Sequence, residues 1–167
     1  MEKKYIQPFL RAAENVSEQF FGIPVVKSSI SLDETLELEK EYIMGIGIVG
    51  KGSSKGIRGI AAIGMSSDEA ERLKYQALKT KGLDKSSKVI QSLSITEWIE
   101  MKDSALEEFA NQMTGYVTKL YAEEQIHCDI TVPRMLTSQD LRRYNEESVR
   151  FEVQNKLANI VMKLYIK

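Results

Sequence analysis

Four residues of one short stretch have the types and spacing to do chemistry together: Ser104, Glu108, Asn111 and Gly115. At about 100° per residue, the spacing i, i+4, i+7 and i+11 places all four on one side of a helix. The apolar residues of the stretch fall on the other side: Leu106, Phe109, Ala110, Met113, Val117, Leu120 and Tyr121. The pattern predicts a helix over residues 103–124 with a buried stripe and an outward-facing carboxylate and amide.

Two residues of the outward face are poor choices for a helix that only has to be soluble. Glycine costs about 1 kcal/mol relative to alanine within a helix, and asparagine also ranks low. We interpret Gly115 as leaving room for another surface, and Glu108 and Asn111 as the polar groups that this surface meets. The alternative is an ordinary solvated face with two unremarkable polar residues.

The order Ser104, Glu108, Asn111 and then Pro133 resembles the signature of the CheC/CheX family of chemotaxis phosphatases. The helix around Gly115, the following Cys-Asp-Ile-Thr segment and the opening of the chain from about residue 5 are similar to that family as well. The similarity covers most of the chain and is weakest over residues 82–100 and 137–148.

Two positions depart from the pattern of the family. Tyr116 stands where the family often has a small or polar residue, and Val132 stands where a second proline is common before Pro133. Both positions lie near the predicted site, so they bear on the rate of any reaction there.

The resemblance implies an enzyme that removes the phosphoryl group from the aspartyl phosphate of a response regulator. Asn111 would orient the attacking water, a positioning role that suits phosphoryl transfer. Glu108 would pair with the lysine of the receiver domain in a charge-assisted contact. Ser104 would support Glu108 or touch the partner, and Gln112 would belong to the surface that binds the partner. Gly115 would leave room for the partner, and Pro133 would shape the adjoining loop.

The implied partner is a phosphorylated CheY-like response regulator, which would supply the Mg²⁺, so we expect no metal site or cofactor in this chain. The resemblance also implies a homodimer that pairs through sheet edges. The sequence adds that the alternating terminal strands could offer such an edge.

Two other functions remain open. The first is a non-catalytic CheC-like docking module, similar to the related flagellar switch proteins, that binds a receiver or a flagellar-switch component. The second is a ligand-binding domain, which only the glycine-rich hairpin supports. The Glu108 and Asn111 pair favours the enzyme, because a docking module does not need it.

The amino-acid composition further restricts the class of protein. The chain has 167 residues, a net charge of −1, 43% hydrophobic and 28% charged residues, which predicts a single soluble domain over residues 1–167. The near-neutral charge favours neither nucleic acid nor an anionic membrane. No signal-peptide core or membrane span is evident, and Cys128 is the only cysteine, so we expect a cytoplasmic protein.

Three further motifs do not predict sites. The glycines of residues 45–52 fit GxGxxG and nearly fit a P-loop, but they lie inside a predicted strand with no following helix. His127 and Cys128 are neighbours in a strand, so they point to opposite faces and do not form a catalytic pair. A second copy of the site motif would begin at Ser67 and include Glu71, but Lys74 replaces the required Asn, so we predict one site.

The predicted fold is α+β: a mostly antiparallel six-stranded sheet with long helices packed on it, in two pseudo-twofold halves of one helix and three strands. Helices are predicted at residues 4–21, 66–81 and 103–124, the last after a short helical segment from Ser94 or Thr96. Strands are predicted at residues 25–32, 42–49, 57–65, 125–131, 149–153 and 160–166. A loop is predicted from Pro133 to Asn145, with a helical turn at Ser138 to Tyr144 within it.

Overall fold

The computed structural model describes residues 2–144 and 146–167. The helices are α1 (Lys3–Phe21), α2 (Ser67–Thr80), α3 (Lys88–Gln91), α4 (Ile95–Glu123) and α5 (Ser138–Leu141). The strands are β1 (Lys27–Asp33), β2 (Tyr42–Gly50), β3 (Arg58–Met65), β4 (Cys128–Ile130), β5 (Arg134–Leu136), β6 (Ser148–Gln154) and β7 (Asn159–Ile166).

One antiparallel sheet joins all the strands in the order β1-β6-β7-β3-β2-β4, and β5 also pairs with β2. β4 and β5 lie one after the other along the same side of β2, so the sheet has six positions and seven strands. The two halves of the chain correspond when β1 is matched with β4, β2 with β6 and β3 with β7. With this matching, the strand order is the same whether it is read from the β1 edge or from the β4 edge. The predicted fold class and its pseudo-twofold halves are therefore confirmed.

The long helices α1, α2 and α4 bury their apolar faces against one side of this sheet. Their shared core includes Phe9, Phe21, Leu73, Leu106, Phe109, Ile46, Ile63, Phe151 and Met162. A smaller cluster covers part of the other side, where Leu36, Leu38 and Leu141 pack on Ile43 and Val161. The helical side of the sheet therefore holds the main core and orients α4.

Two predicted segments differ from the structure. α4 is continuous from Ile95, because Ser94 accepts a hydrogen bond from the backbone N–H of Glu97 and the Glu97 side chain accepts one from Ser94. This capping box starts a helix well before residue 103. The predicted loop from Pro133 to Asn145 contains the strand β5, which was not predicted, and α5 confirms the helical turn expected within it. The last residue of the loop lies outside the described part of the chain.

The expectation that the terminal strands offer a pairing edge is wrong. β6 lies between β1 and β7, and β7 lies between β6 and β3, so both strands have neighbours on both sides. The edges of the sheet are instead β1 on one side and the β4 and β5 pair on the other.

The glycines of β2 are there because neighbouring groups approach the backbone closely. A Cβ atom at Gly45 would overlap Cδ1 of Leu136, and one at Gly50 would overlap the carbonyl oxygen of Ser54. A short 3-10 turn at Gly52–Ser54 and then β3 follow this strand. The hairpin therefore lacks the helix N-terminus that a phosphate-binding glycine loop requires.

An ion-pair cluster fastens α2 to the first half of α4. The buried Lys74 donates to Asp103 over 2.7 Å and to Glu71 over 2.9 Å, and Lys102 donates to Glu71 over 2.6 Å. Hydrogen bonds from Lys102 and then Lys74 lower the pKa of Glu71. Burial alone would lower the pKa of Lys74, but its bonds to Asp103 and Glu71 raise it overall. Glu71 and Lys74, which occupy positions of the possible second copy of the site motif, thus form a structural contact between α2 and α4.

Candidate functional site

The candidate site lies on α4, whose orientation is set by a stripe of fully buried side chains. The helix has 29 residues, which makes it about 43 Å long. From Ala105 onward, its buried residues are Ala105, Leu106, Phe109, Ala110, Met113, Val117 and Tyr121. This is the predicted core stripe, except that Leu120 is partly exposed. The opposite face is therefore directed to solvent.

The predicted site residues of α4 occupy that solvent-facing side. Ser104, Asn111, Gln112 and Gly115 are exposed, and Glu108 is partly exposed. No side-chain hydrogen bond engages Asn111 within residues 2–144 and 146–167. The amide of Asn111 is therefore available as both donor and acceptor to a second molecule.

Glu108 has a single polar neighbour on its own helix. Nε2 of Gln112 donates a hydrogen bond to Oε1 of Glu108 over 3.1 Å. No lysine, arginine or histidine lies within salt-bridge distance of Glu108 in the described part of the chain. A carboxylate held by one neutral, exposed amide can exchange that contact at low cost for a cation of a partner.

Ser104 does not support Glu108 in the structure. Its hydroxyl donates to the carbonyl oxygen of Glu100 over 2.9 Å, which is the usual back-bond of a helical serine. The neighbour that contacts Glu108 is Gln112, which the sequence placed on the docking surface without a defined contact. The i, i+4 spacing of these two residues was the signal for this bond.

Gly115 faces open space. Apart from the adjacent backbone of α4 itself, no atom of residues 2–144 and 146–167 lies within 4 Å of the position that a Cβ atom would take there, so packing among these residues does not require a glycine. Its backbone lies inside α4 and does not have a positive φ angle, so its conformation does not require a glycine either. A residue that costs helix stability without serving the fold is consistent with a need for close approach from outside.

Tyr116, one of the departures from the family pattern, is turned away from Glu108 and Asn111. Its hydroxyl accepts a hydrogen bond from Nδ2 of Asn15 on α1 over 3.0 Å, and its ring packs against the core. Tyr116 therefore contributes to the contact between α1 and α4 and leaves the solvent-facing side of α4 clear.

Pro133 lies on a different element, the connection between β4 and β5. α4 packs on β4 at this edge of the sheet. Thr131 fixes the connection to β2, since its N–H donates to the carbonyl of Gly47 and its Oγ1 accepts from the N–H of Gly47. The second departure, Val132, is 79% exposed beside Pro133. Among the described residues, Pro133 makes no hydrogen bond with the Glu108 face of α4, and it lies between β4 and β5 at the edge of the sheet.

The other titratable groups considered from the sequence stand apart from this face. Burial raises the pKa of the Cys128 thiol, which packs against the core, while His127 is exposed. Residues 2–144 and 146–167 contain no group of three or more His, Cys, Asp or Glu side chains arranged to hold a metal ion. None of the helices in this same part of the chain is both long and apolar enough to cross a membrane.

A family model described as the CheC-like family matches residues 101–136 of this chain. This range contains every predicted site residue, from Ser104 to Pro133. No curated protein matches the chain. The resemblance to the CheC/CheX family is therefore confirmed over this segment, which joins the α4 face to the β4 and β5 edge.

The fold matches solved chemotaxis proteins along nearly its whole length. CheX from Desulfovibrio desulfuricans has a TM-score of 0.71 at 12% identity, covering 98% of this chain and 99% of that one. A CheC-like superfamily protein from Shewanella sp. PV-4 has a TM-score of 0.71 at 16% identity, covering 100% and 99%. The CheX-CheY-BeF3-Mg²⁺ complex from Borrelia burgdorferi has a TM-score of 0.68 at 19% identity, covering 98% and 97%. At these identities, the likeness establishes the fold.

The role of Gly115 can be tested by stability alone. Gly115→Ala should raise the free energy of unfolding by about 0.5–1 kcal/mol, because alanine restricts the unfolded chain and meets no neighbour here. Urea unfolding followed by circular dichroism measures this change.

Gly45→Ala is the matched control, and it should destabilise the protein because its Cβ atom would overlap Leu136. A destabilised Gly115→Ala variant would show that the fold itself requires this glycine.

Proposed function

We propose that this protein hydrolyses the aspartyl phosphate of a CheY-like response regulator. The observation that carries the proposal is the pairing of Glu108 and Asn111 one turn apart on the outward side of a helix whose other side is fully buried. The solved complex of Borrelia burgdorferi CheX with CheY, BeF3 and Mg²⁺ supports the class of partner, because that CheX has the same fold.

The reaction needs little from this chain beyond position. A receiver domain brings the aspartyl phosphate, Mg²⁺ and a lysine, and it lacks only an oriented water. Water attacks phosphorus, the bond between phosphorus and the aspartyl oxygen breaks, and inorganic phosphate leaves while the receiver carboxylate is restored. Phosphoryl transfer depends mainly on alignment and charge stabilisation, so a fixed amide beside the attacking water is an effective contribution.

Asn111 is the residue that can supply this alignment. Its side-chain oxygen can accept from the O–H of the water and its NH₂ can donate to a phosphoryl oxygen. The amide is exposed and has no competing side-chain hydrogen bond among the described residues. Its short side chain on a packed helix also limits the number of positions that the amide can take.

Glu108 sets the register between the two proteins. On docking, its carboxylate would exchange the neutral Gln112 amide for the receiver lysine, and a charge-assisted hydrogen bond is about twice as strong as a neutral one. Gly115 would let the partner surface approach the helix backbone. Ser104, whose proton is committed to Glu100, would offer its oxygen as an acceptor at the rim.

Asn111→Ala should lower the turnover of receiver phosphate by about a hundredfold, because the attacking water loses its alignment. Binding to a BeF3-treated receiver should stay close to that of the wild type, since the contact of Glu108 remains. Phosphate release in single-turnover experiments and calorimetric titration measure the two quantities separately.

Gln139→Ala, which removes an exposed amide from α5, is the control and should leave both quantities unchanged. Turnover that survives in Asn111→Ala would remove Asn111 from the mechanism.

Glu108→Ala should weaken binding to the BeF3-treated receiver, and Glu108→Lys should weaken it further by placing two cations together. Glu123→Lys makes the same charge change at an exposed position near the end of the same helix and should bind normally. If Glu108→Lys and Glu123→Lys bind the receiver equally well, the assigned pairing of Glu108 is wrong.

The expected homodimer is retained as part of this proposal, with β1 as the pairing edge. β1 pairs with β6 on one side only, and its Ile30 and Leu32 side chains are exposed. An antiparallel pairing of two β1 strands centred on Ile30 would place Lys27 opposite Asp33 of the second copy. The other edge lies beside the proposed receiver surface.

Ile30→Lys should convert the dimer to a monomer in sedimentation equilibrium, because two lysines would meet at the centre of the pairing. Met135→Lys, on the opposite edge of the sheet, is the control and should remain dimeric. A monomeric wild-type protein would contradict the dimer, and a monomeric Met135→Lys variant would assign it to the other edge.

A further inference from the structure

Two exposed apolar side chains flank Pro133 beside the candidate site. Val132 precedes the proline and is 79% exposed, and Met135 follows it by two residues and is 52% exposed. Neither residue belongs to the two apolar clusters that the described residues form. Packing within the described part of the chain therefore does not explain why both residues are apolar.

The strand register places Met135 on the same side of the sheet as α4. Met135 lies directly opposite Met44 in the pairing of β5 with β2, and Met44 is buried in the core beneath the long helices. Directly opposite residues of an antiparallel pair project from the same face. The next residue, Leu136, belongs to the smaller cluster on the other face, as the alternation of side chains along a strand requires.

Alternation directs Val132 to the helical side of the sheet as well. Ile130 packs against the core on that side, and the side chain of Thr131 lies against Gly47 on the opposite side. A residue that precedes proline favours an extended conformation, so the alternation continues to Val132. Val132 and Met135 therefore form an exposed apolar patch at the sheet edge next to α4, which we call the edge patch.

One flank of α4 faces this edge of the sheet. Glu107 and Asn111 lie four residues apart on that flank. Burial raises the pKa of Tyr42 on β2, and Lys74 opposes this change. The negative charges of Asp103 and Glu107 add to the increase, so both carboxylates lie on the side of α4 that faces β2. Because β5 pairs with β2, the edge patch and the Glu107 flank belong to one surface.

The free charges on this surface are negative. Glu100 and Glu107 are exposed and have no lysine, arginine or histidine within 4.0 Å among residues 2–144 and 146–167. The lysines of the ion-pair cluster are already held by its own carboxylates. Arg134 alternates with its neighbours in β5 and points to the opposite face of the sheet. Lys119 lies on the same helix, about 18 Å from Glu107 along the axis.

We propose that Val132 and Met135 are the apolar anchor on which the receiver docks, and that Glu107 selects receivers with a further basic residue beside it. This inference rests on the proposed function, because the occupant of the edge patch is the receiver that Glu108 and Asn111 engage. The lysine of the receiver active site is taken by Glu108, so Glu107 requires a second lysine or arginine on the receiver surface.

The size of a protein interface supports this occupant. A specific interface buries about 800 Å² on each partner, which is far more than the side chains of Glu108 and Asn111 provide. α4 packs on β4 at this edge, so the edge patch lies next to the surface that the receiver must approach. Apolar residues within a rim of charged residues are the usual arrangement of such an interface.

Val132→Ser should weaken binding to the BeF3-treated receiver by about tenfold, because the receiver loses an apolar contact. The single-turnover rate at a saturating concentration of the variant should equal that of the wild type, since Glu108 and Asn111 keep their positions. Val49→Ser is the matched control: this valine is also exposed but alternates with the buried Ile48, so it lies on the opposite face of the sheet. It should bind the receiver normally.

Glu107→Lys tests the selection by charge. It should weaken binding to a receiver that has the additional basic residue, and the loss should shrink as salt is raised. The loss caused by Val132→Ser should persist at high salt, because an apolar contact is not screened. Glu123→Lys makes the same charge change at an exposed position near the end of α4 and should bind normally.

The outcomes separate this inference from the proposed phosphatase. Equal receiver binding by Val132→Ser and Val49→Ser, or a slower turnover of Val132→Ser at unchanged affinity, would overturn the apolar anchor while catalysis stands. Equal binding by Glu107→Lys and Glu123→Lys at low salt would overturn the selection by charge. A wild-type protein that binds the receiver without accelerating its decay would contradict the phosphatase, and the binding comparisons would still decide the role of the edge patch.

Discussion

The burial of one stripe of α4 determines what the rest of the site can be. Leu106, Phe109 and Ala110 are fully inaccessible to solvent, and Met113 and Val117 nearly so. A rotation of the helix by one residue position, about 100°, would move apolar groups to water and polar groups into the core, each at a cost of about 1–3 kcal/mol. The outward direction of Glu108 and Asn111 therefore follows from the packing of the opposite face.

The same packing explains how so small a set of groups can serve a reaction. α1 and the β4 edge hold α4 along its length, and the cluster of Lys74, Glu71 and Asp103 anchors it to α2. A short asparagine side chain on a fixed helix needs little ordering when a partner arrives. The proposed division of labour gives the phosphate, the metal and the lysine to the receiver, and leaves to this protein the alignment of one water.

The periodicity of apolar residues predicted the long helices, which bury a continuous apolar stripe, and the strands in which apolar and polar residues alternate regularly. The outward face of α4 was accessible from spacing alone, and the predicted helix at residues 66–81 is close to the observed α2, which Ser66 and Glu69 begin with a capping box. The helical start at Ser94 was predicted, and Ser94 and Glu97 form its capping box. Its continuity with the helix from residue 103 was missed, because Ile95 and Ile99 on the first turns are exposed and the buried stripe begins only at Ala105.

The other misses concern contacts between distant segments. β5 has only three residues, directly after Pro133, and it pairs with β2. A segment of this length is too short for alternation of apolar and polar residues to indicate a strand. The burial of β6 and β7 inside the sheet, and of Lys74 between α2 and α4, depends on which elements become neighbours. The bond between Gln112 and Glu108, by contrast, was accessible from their spacing on the helix.

The most direct measurement is the release of phosphate from a phosphorylated CheY-like receiver in Mg²⁺, with the wild-type protein present at far less than one equivalent. We expect each molecule of the protein to release phosphate from many receiver molecules, so that the decay accelerates in proportion to the concentration of the protein. A decay that is the same with and without the protein, while the BeF3-treated receiver still binds to it, would contradict catalysis and identify a docking module.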